Sequence, residues 1–90
     1  MTVTVSGELD IATRAAFEGY LEEVLQAGPG QVIVDLSRLS FVDAGGLRAL
    51  VSLRSRADRQ RTPLLLTGVS LRTLRILKIV GLDGQIAIAP

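Results

Sequence analysis

Apolar and polar residues alternate over Thr2–Ser6, TVTVS, which is the two-residue period of a half-buried strand. Gly7-Glu8-Leu9 follows, and Asp10 is placed to cap a helix by accepting N–H groups of its first turn. That helix is expected from Ile11 to about Ala27, with Phe17, Leu21, Val24 and Leu25 as its apolar stripe and Tyr20 at the margin. Arg14 and Glu18 stand on its wet face at the spacing that pairs weakly. Gly28-Pro29-Gly30 stops it, because Gly suits the left-handed position after a helix and Pro cannot continue one. Gln31–Leu36 is a short continuous apolar run rich in β-branched residues, which predicts a central strand covered on both faces. Ser37–Ser40 reads as a turn or loose extension, and Phe41-Val42 as a return to the core.

A second helix is expected from Asp43 to about Gln60, burying Leu47, Leu50, Val51, Leu53 and Ala57. Arg54, Arg56, Arg59 and Arg61 crowd its far end, where positive charge complements the helix dipole. Pro63–Thr67 predicts a third strand, with Pro at the first position, where it is tolerated. Ser70 is placed to cap a third helix that runs through Val80. Leu71, Leu74, Leu77 and one of Ile76 and Ile79 are expected to face inward, and Gly81 ends the helix. Gln85–Ala89 predicts a last short strand. The order β-α-β-α-β-α-β is that of an α/β sheet with parallel crossovers and helices packed on it. If Met1 is the true start, little covers the edge of the first strand, and a homodimer through that strand is one expectation.

Composition narrows the chemistry. The 90 residues are the size of one domain, 1–90. There is no Cys and no His, which removes disulfides, thiol redox chemistry and the usual ligands of zinc, copper and haem. It also removes Ser-His and Cys-His nucleophilic catalysis, so neither an enzyme nor a bound cofactor is expected. Hydrophobic residues make up 48% and aromatics only 3%, so the core must be built from Leu, Ile, Val and Ala. No apolar run approaches the ~18 residues of a spanning helix, so no membrane insertion is expected. MTVTVSGELD lacks a basic region followed by an apolar core, so no signal peptide is expected and a cytoplasmic location is the default. The net charge of +1 exerts no global pull on nucleic acid. The arginine-rich stretch from Arg54 to Arg61 has no interleaved aromatic and reads as a solvated helix end.

The unusual stretch is FVDAGGLRAL, residues 41–50. An acid and three tiny residues stand where a helix begins, although each Gly costs roughly 0.5–1 kcal/mol there against Ala. In the simplest reading Asp43 is the N-cap and the glycines serve a tight strand-to-helix turn. In a second, small residues leave the helix end flat so that a partner's backbone can approach. A third is a nest of free N–H groups for an anion, although the Gly-rich phosphate loop with its Lys is missing. Asp35 and Asp43 lack the third acid and the Lys of a phospho-receiver site. Ser40, near the helix mouth, carries a hydroxyl that is either a phosphorylation site or part of the turn.

Gly7-Glu8-Leu9-Asp10, Val34-Asp35-Leu36-Ser37, Phe41-Val42-Asp43-x-x-Gly46-Leu47 and Val80-Gly81-Leu82-Asp83 occur in that order. With this set the chain resembles, over essentially its whole length, the STAS domain. That is the family of the anti-sigma factor antagonists and their relatives, including cytoplasmic tails of sulfate transporters. The resemblance implies a small mixed β-sheet of four or five strands flanked by helices. It also implies a Ser or Thr after the motif Asp, phosphorylated by an ATP-dependent serine kinase that is itself the anti-sigma factor. Unphosphorylated, the antagonist binds that kinase and frees the sigma factor, and the nucleotide belongs to the partner. Here the matching residue is Ala44, which has no hydroxyl to modify. The implied docking surface is Asp43, Ala44, Gly45, Gly46, Leu47 and Arg48, with Gly7, Glu8, Leu9 and Asp10 beside it. Ala44 then marks an antagonist without its switch, a subunit of a transport (for example lipid transport) or sensory assembly, or a substitution that locks the unphosphorylated state.

Overall fold

The structure, a computed structural model, describes residues 1–89. Four strands and three helices alternate: β1 (Thr2–Leu9), α1 (Arg14–Gln26), β2 (Val32–Val42), α2 (Ala44–Arg59), β3 (Leu64–Thr67), α3 (Leu71–Ile79) and β4 (Ala87–Ile88). The sheet order is β1-β2-β3-β4 and every neighbouring pair is parallel. The α/β class and the element order are those expected, and among the described residues no antiparallel strand makes the sheet a mixed one.

Sequential parallel neighbours joined by right-handed crossovers place every connecting helix on the same face of the sheet. Burial follows that geometry. Val3, Val32, Val34, Leu36, Leu64 and Leu66 are buried, while Thr4, Ile33, Asp35, Leu65 and Thr67 between them are half-buried or exposed. The expectation that the Gln31–Leu36 strand is covered on both faces is therefore corrected. One face of β2 lies under the helices, and Ile33 and Asp35 sit on the other. The core closes beneath α1 and α2 with Leu21, Leu47, Leu50 and Leu53, and beneath α3 with Leu77.

Three further expectations shift. Ser37–Ser40 is no turn: β2 runs unbroken to Val42, because β1 also extends to Leu9 and pairs with it, Ser6 beside Arg38 and Gly7 beside Leu39. Register shifts at Thr4/Ser6 and Gly7/Glu8 absorb the mismatch, and Gly7 at φ +82° supplies a backbone conformation that side chains disfavour. Phe41 consequently points out of the core and is 42% exposed. The first helix starts at Arg14, not Ile11. Asp10 Oδ1 accepts from the N–H groups of Ala12 and Thr13, and the Asp10 carbonyl accepts from those of Thr13 and Arg14. A closed turn thus precedes the helix. On α3, Leu71 and Ile79 face solvent. The buried side chains are Leu77 and Thr73, and Thr73 accepts a hydrogen bond from the Ser70 hydroxyl at 3.0 Å.

Leu50 is 1% exposed at the centre of this one-sided core. Leu50→Ala should lower stability by about 2–5 kcal/mol. In urea the midpoint should fall with an unchanged slope.

Candidate functional site

In a parallel sheet the carboxyl ends of all strands share one rim, where open α/β folds place their sites. Leu9 and Val42 close β1 and β2 as partners on that rim, and the Asp43 N–H donates to the Leu9 carbonyl at 3.3 Å. Asp43 leaves the strand with extended backbone and caps α2: its Oδ1 accepts from the Gly46 N–H at 2.8 Å, and its carbonyl accepts from the Leu47 N–H. The N-cap reading of Asp43 thus holds.

The two glycines of α2 differ in cause. A Cβ on Gly46 would stand 2.9 Å from Leu9 Cγ and closer still to the Leu9 carbonyl oxygen, a collision with backbone that cannot move aside. Gly46 is glycine because the first turn of α2 rests directly on the end of β1. A Cβ on Gly45 would meet only Asp43 Oδ1 at 3.3 Å and Arg14 Nη1 at 3.9 Å. No backbone of the protein fills that space, so Gly45 leaves the helix end bare. Ala44, Gly45 and Asp43 are half-buried and Arg48 is exposed. Leu9 and Leu47 are buried at 1% and 0% exposure. They hold the rim from beneath and present no side chain on it.

Gly7, Glu8 and Asp10 lie along the same rim. Gly7 offers its carbonyl to the Ser40 hydroxyl at 3.0 Å, which gives that hydroxyl a role in joining β1 to β2. Glu8 is exposed, and its carbonyl accepts from the Thr13 hydroxyl at 2.9 Å. The Asp10 carboxylate accepts from two backbone N–H groups. The Thr13 N–H bond is the main reason its pKa lies below the ordinary carboxylate value. Asp35, on the uncovered sheet face, is lowered likewise, chiefly by the Ser37 N–H at 2.9 Å.

Arg14 is the rim residue that periodicity assigned only to a wet helix face. As the first residue of α1 it reaches over the end of α2 toward Gly45, while its Nε stays 3.7 Å from Glu18. Its position at the start of a helix that follows a rim turn was the available signal. At the other end of the helix pair, Arg56 of α2 makes an ion pair with Glu22 of α1. Among the described residues no group of three or more carboxylates is placed to hold a metal ion, and no helix is long and apolar enough to cross a membrane. What the rim offers is a flat helix end ringed by charges.

Comparison with known proteins agrees on the fold. A family model described as "Mlab, STAS domain" matches residues 1–89. The anti-sigma-B factor antagonist of Staphylococcus aureus is 34% identical over 80 residues, covering 89% of this chain and 74% of the relative. The crystal structure of an anti-sigma factor antagonist from Mycobacterium paratuberculosis superposes with a TM-score of 0.78 at 28% identity, covering 99% of this chain and 75% of that one. A sulfate transporter family protein from Wolinella succinogenes gives a TM-score of 0.76 at 25% identity, covering 97% and 74%.

The two glycines separate by substitution. Gly46→Ala should cost about 1–3 kcal/mol through overpacking against Leu9. Gly45→Ala should cost less than Gly46→Ala, because its Cβ presses only on Asp43 Oδ1 at 3.3 Å and the gain in helix propensity opposes that contact. Chemical denaturation of both variants reads the difference. The Asp10 turn also predicts a pH dependence. The folded carboxyl pKa is depressed, so the turn's contribution is complete above the ordinary Asp value, about pH 4. It is lost as pH falls through the lower folded value. Protection of the Ala12 and Thr13 amides, relative to their intrinsic exchange rates, should fall below that pH, and Asp10→Asn should remove the dependence.

Proposed function

This chain belongs to the STAS domain family, and from that membership we propose that it works as an anti-sigma factor antagonist. It binds an ATP-dependent anti-sigma kinase through the rim at the start of α2 and holds that partner away from its sigma factor. The observation that carries this reading is the bare first turn. The Asp43 carboxylate is engaged with the Gly46 N–H, and Ala44 and Gly45 add no bulk. A Cβ on Gly45 would meet side-chain atoms alone, the nearest Asp43 Oδ1 at 3.3 Å, and no backbone. A flat helix end of this kind admits a partner's backbone to van der Waals distance. The names of the S. aureus and M. paratuberculosis proteins support the same partner class.

Ala44 occupies the position of the phosphorylated residue and has no hydroxyl, so the chain stays in its binding state. A phosphate there would be tolerated by the N-terminal dipole of α2. It would act on the partner through its bulk and about two negative charges, and would not unfold the chain. The nucleotide sits on the kinase. The chain works without catalysis of its own, by occupying the surface on which the kinase holds sigma.

The reading is tested at the rim. Ala44→Asp should abolish binding to the purified anti-sigma kinase by calorimetry, and Ala44→Ser should become a phosphate acceptor in the presence of that kinase and ATP. Ala44→Asp binding as tightly as the parent would show that the docking site lies elsewhere. In a transport assembly, where a transporter ATPase replaces the kinase, Ala44→Ser should stay unmodified and bind that ATPase normally.

A further inference from the structure

A second recess lies on the same rim, on the far side of β2 from Gly46. It is a groove of about 90 Å³ between the carboxyl-terminal half of β2 and the first turns of α3. Leu36, Leu39, Val42 and Ile76 give it an apolar floor, and Ser40 and Arg72 stand at its edge. Phe41 and Val42 line it and lead straight into Asp43, so the groove is continuous with the docking rim. Among the described residues no buried side-chain polar atom lacks a partner, and the buried Thr73 is already bonded to Ser70. Ser37, Ser40 and Ser70 stand in its wall beside that floor, so the lining is part apolar and part polar. At about 90 Å³ it has room for one small aliphatic side chain above that floor.

The face beside it is basic. Arg72, Arg75 and Lys78 follow one another along the exposed side of α3, and none forms an ion pair among the described residues. Leu71 and Ile79 flank them at 74% and 82% exposure. We propose that the groove and this face of α3 form a second docking surface, which takes an aliphatic side chain of the protein partner followed by carboxylates. The proposal deepens the antagonist reading and rests on it for the partner's identity. A protein segment fits better than a lipid surface because the recess is concave and sized for one side chain. Anchors of this kind, an apolar residue in a desolvated pocket with charges at the rim, carry much of the affinity of protein interfaces.

The test is an amide NMR titration with acetyl-Leu-Glu-Glu-amide. Saturable shifts are expected at Leu39, Phe41, Gly68 and Thr73 in the millimolar range. Acetyl-Ala-Glu-Glu-amide and acetyl-Leu-Lys-Lys-amide should each bind about tenfold more weakly or worse, a difference of about 1.4 kcal/mol. Arg72→Glu/Arg75→Glu changes only exposed side chains and should lose the response with its spectrum otherwise intact. No saturable shift, or an equal response to the lysine peptide, overturns the proposal. So does adsorption to phosphatidylserine vesicles, lost in the same variant, with no peptide response; that result assigns the face to a lipid surface. The antagonist reading fails separately, through a parent chain that does not bind the anti-sigma kinase at all.

Discussion

The contact on which this molecule is built is the approach of the first turn of α2 to the last carbonyl of β1, where Gly46 meets Leu9 without a Cβ between them. A helix usually stands off a sheet by the thickness of its side chains. Here the Asp43 N–H donates to the same Leu9 carbonyl, and Asp43 Oδ1 then captures the Gly46 N–H. Strand end, cap and helix start are locked into one unit. The flatness of the rim begins as a folding requirement. A turn seated this close on a strand has no room for a side chain at Gly46, and the glycine penalty there is offset by the cap and the backbone bond. Gly45 is different in kind. A Cβ there would press on the capping carboxylate of Asp43 but on no backbone, so the packing demand for glycine is weaker than at Gly46 and the bareness it leaves is open to a partner.

The same unit explains why the candidate docking surface lies at one end of a one-sided sheet. With strands in the order β1-β2-β3-β4 and all parallel, the helices share a face and their amino-terminal ends gather at the carboxyl rim of the strands. The starts of α1, α2 and α3 therefore approach one edge of the molecule. Arg14 arrives from the first, Asp43 and Ala44 from the second, and Ser70 and Arg72 from the third. The rim is a convergence imposed by topology. Its chemistry is a matter of which few side chains the caps leave free.

What the sequence disclosed follows from how local each signal is. The caps Asp43 and Ser70 were legible because capping depends on a residue and its next three neighbours. Asp10 was legible as an acceptor of N–H groups. Its turn closed before the helix began because Thr13 supplies a second set of bonds back to Glu8 and Asp10. The strands were harder. Val32, Ile33 and Val34 are all β-branched, so the run hid a period of two that appears only when one face of the sheet has no helix on it. Ser37–Ser40 looked like a turn because its polarity is real. Those residues remain in β2 because β1 pairs with them across two register shifts, and no local pattern encodes a partner strand. Leu71 was assigned inward by spacing alone, with Ile79 as the alternative to the half-buried Ile76, and the buried Thr73 shows that the phase of α3 is set by where its cap binds.

The absence of a hydroxyl at Ala44 has a consequence for regulation on the antagonist reading. A domain with a phosphorylatable residue divides into two populations, and the kinase sets their ratio. A chain with alanine at that position has one population, and a partner cannot shift an equilibrium that has no second state. Occupancy of the kinase is then governed by the amount of this chain relative to the dissociation constant, with no enzymatic reset. A shallow rim with a single alanine at its centre would serve poorly in that setting unless other contacts add affinity. The apolar groove beside Phe41 and the unpaired cations of α3 lie where such contacts can be made without crossing Ala44. Affinity and the vacant switch position are therefore physically separable on this rim, and a Ser at residue 44 would add control to a docking surface whose strength is set elsewhere.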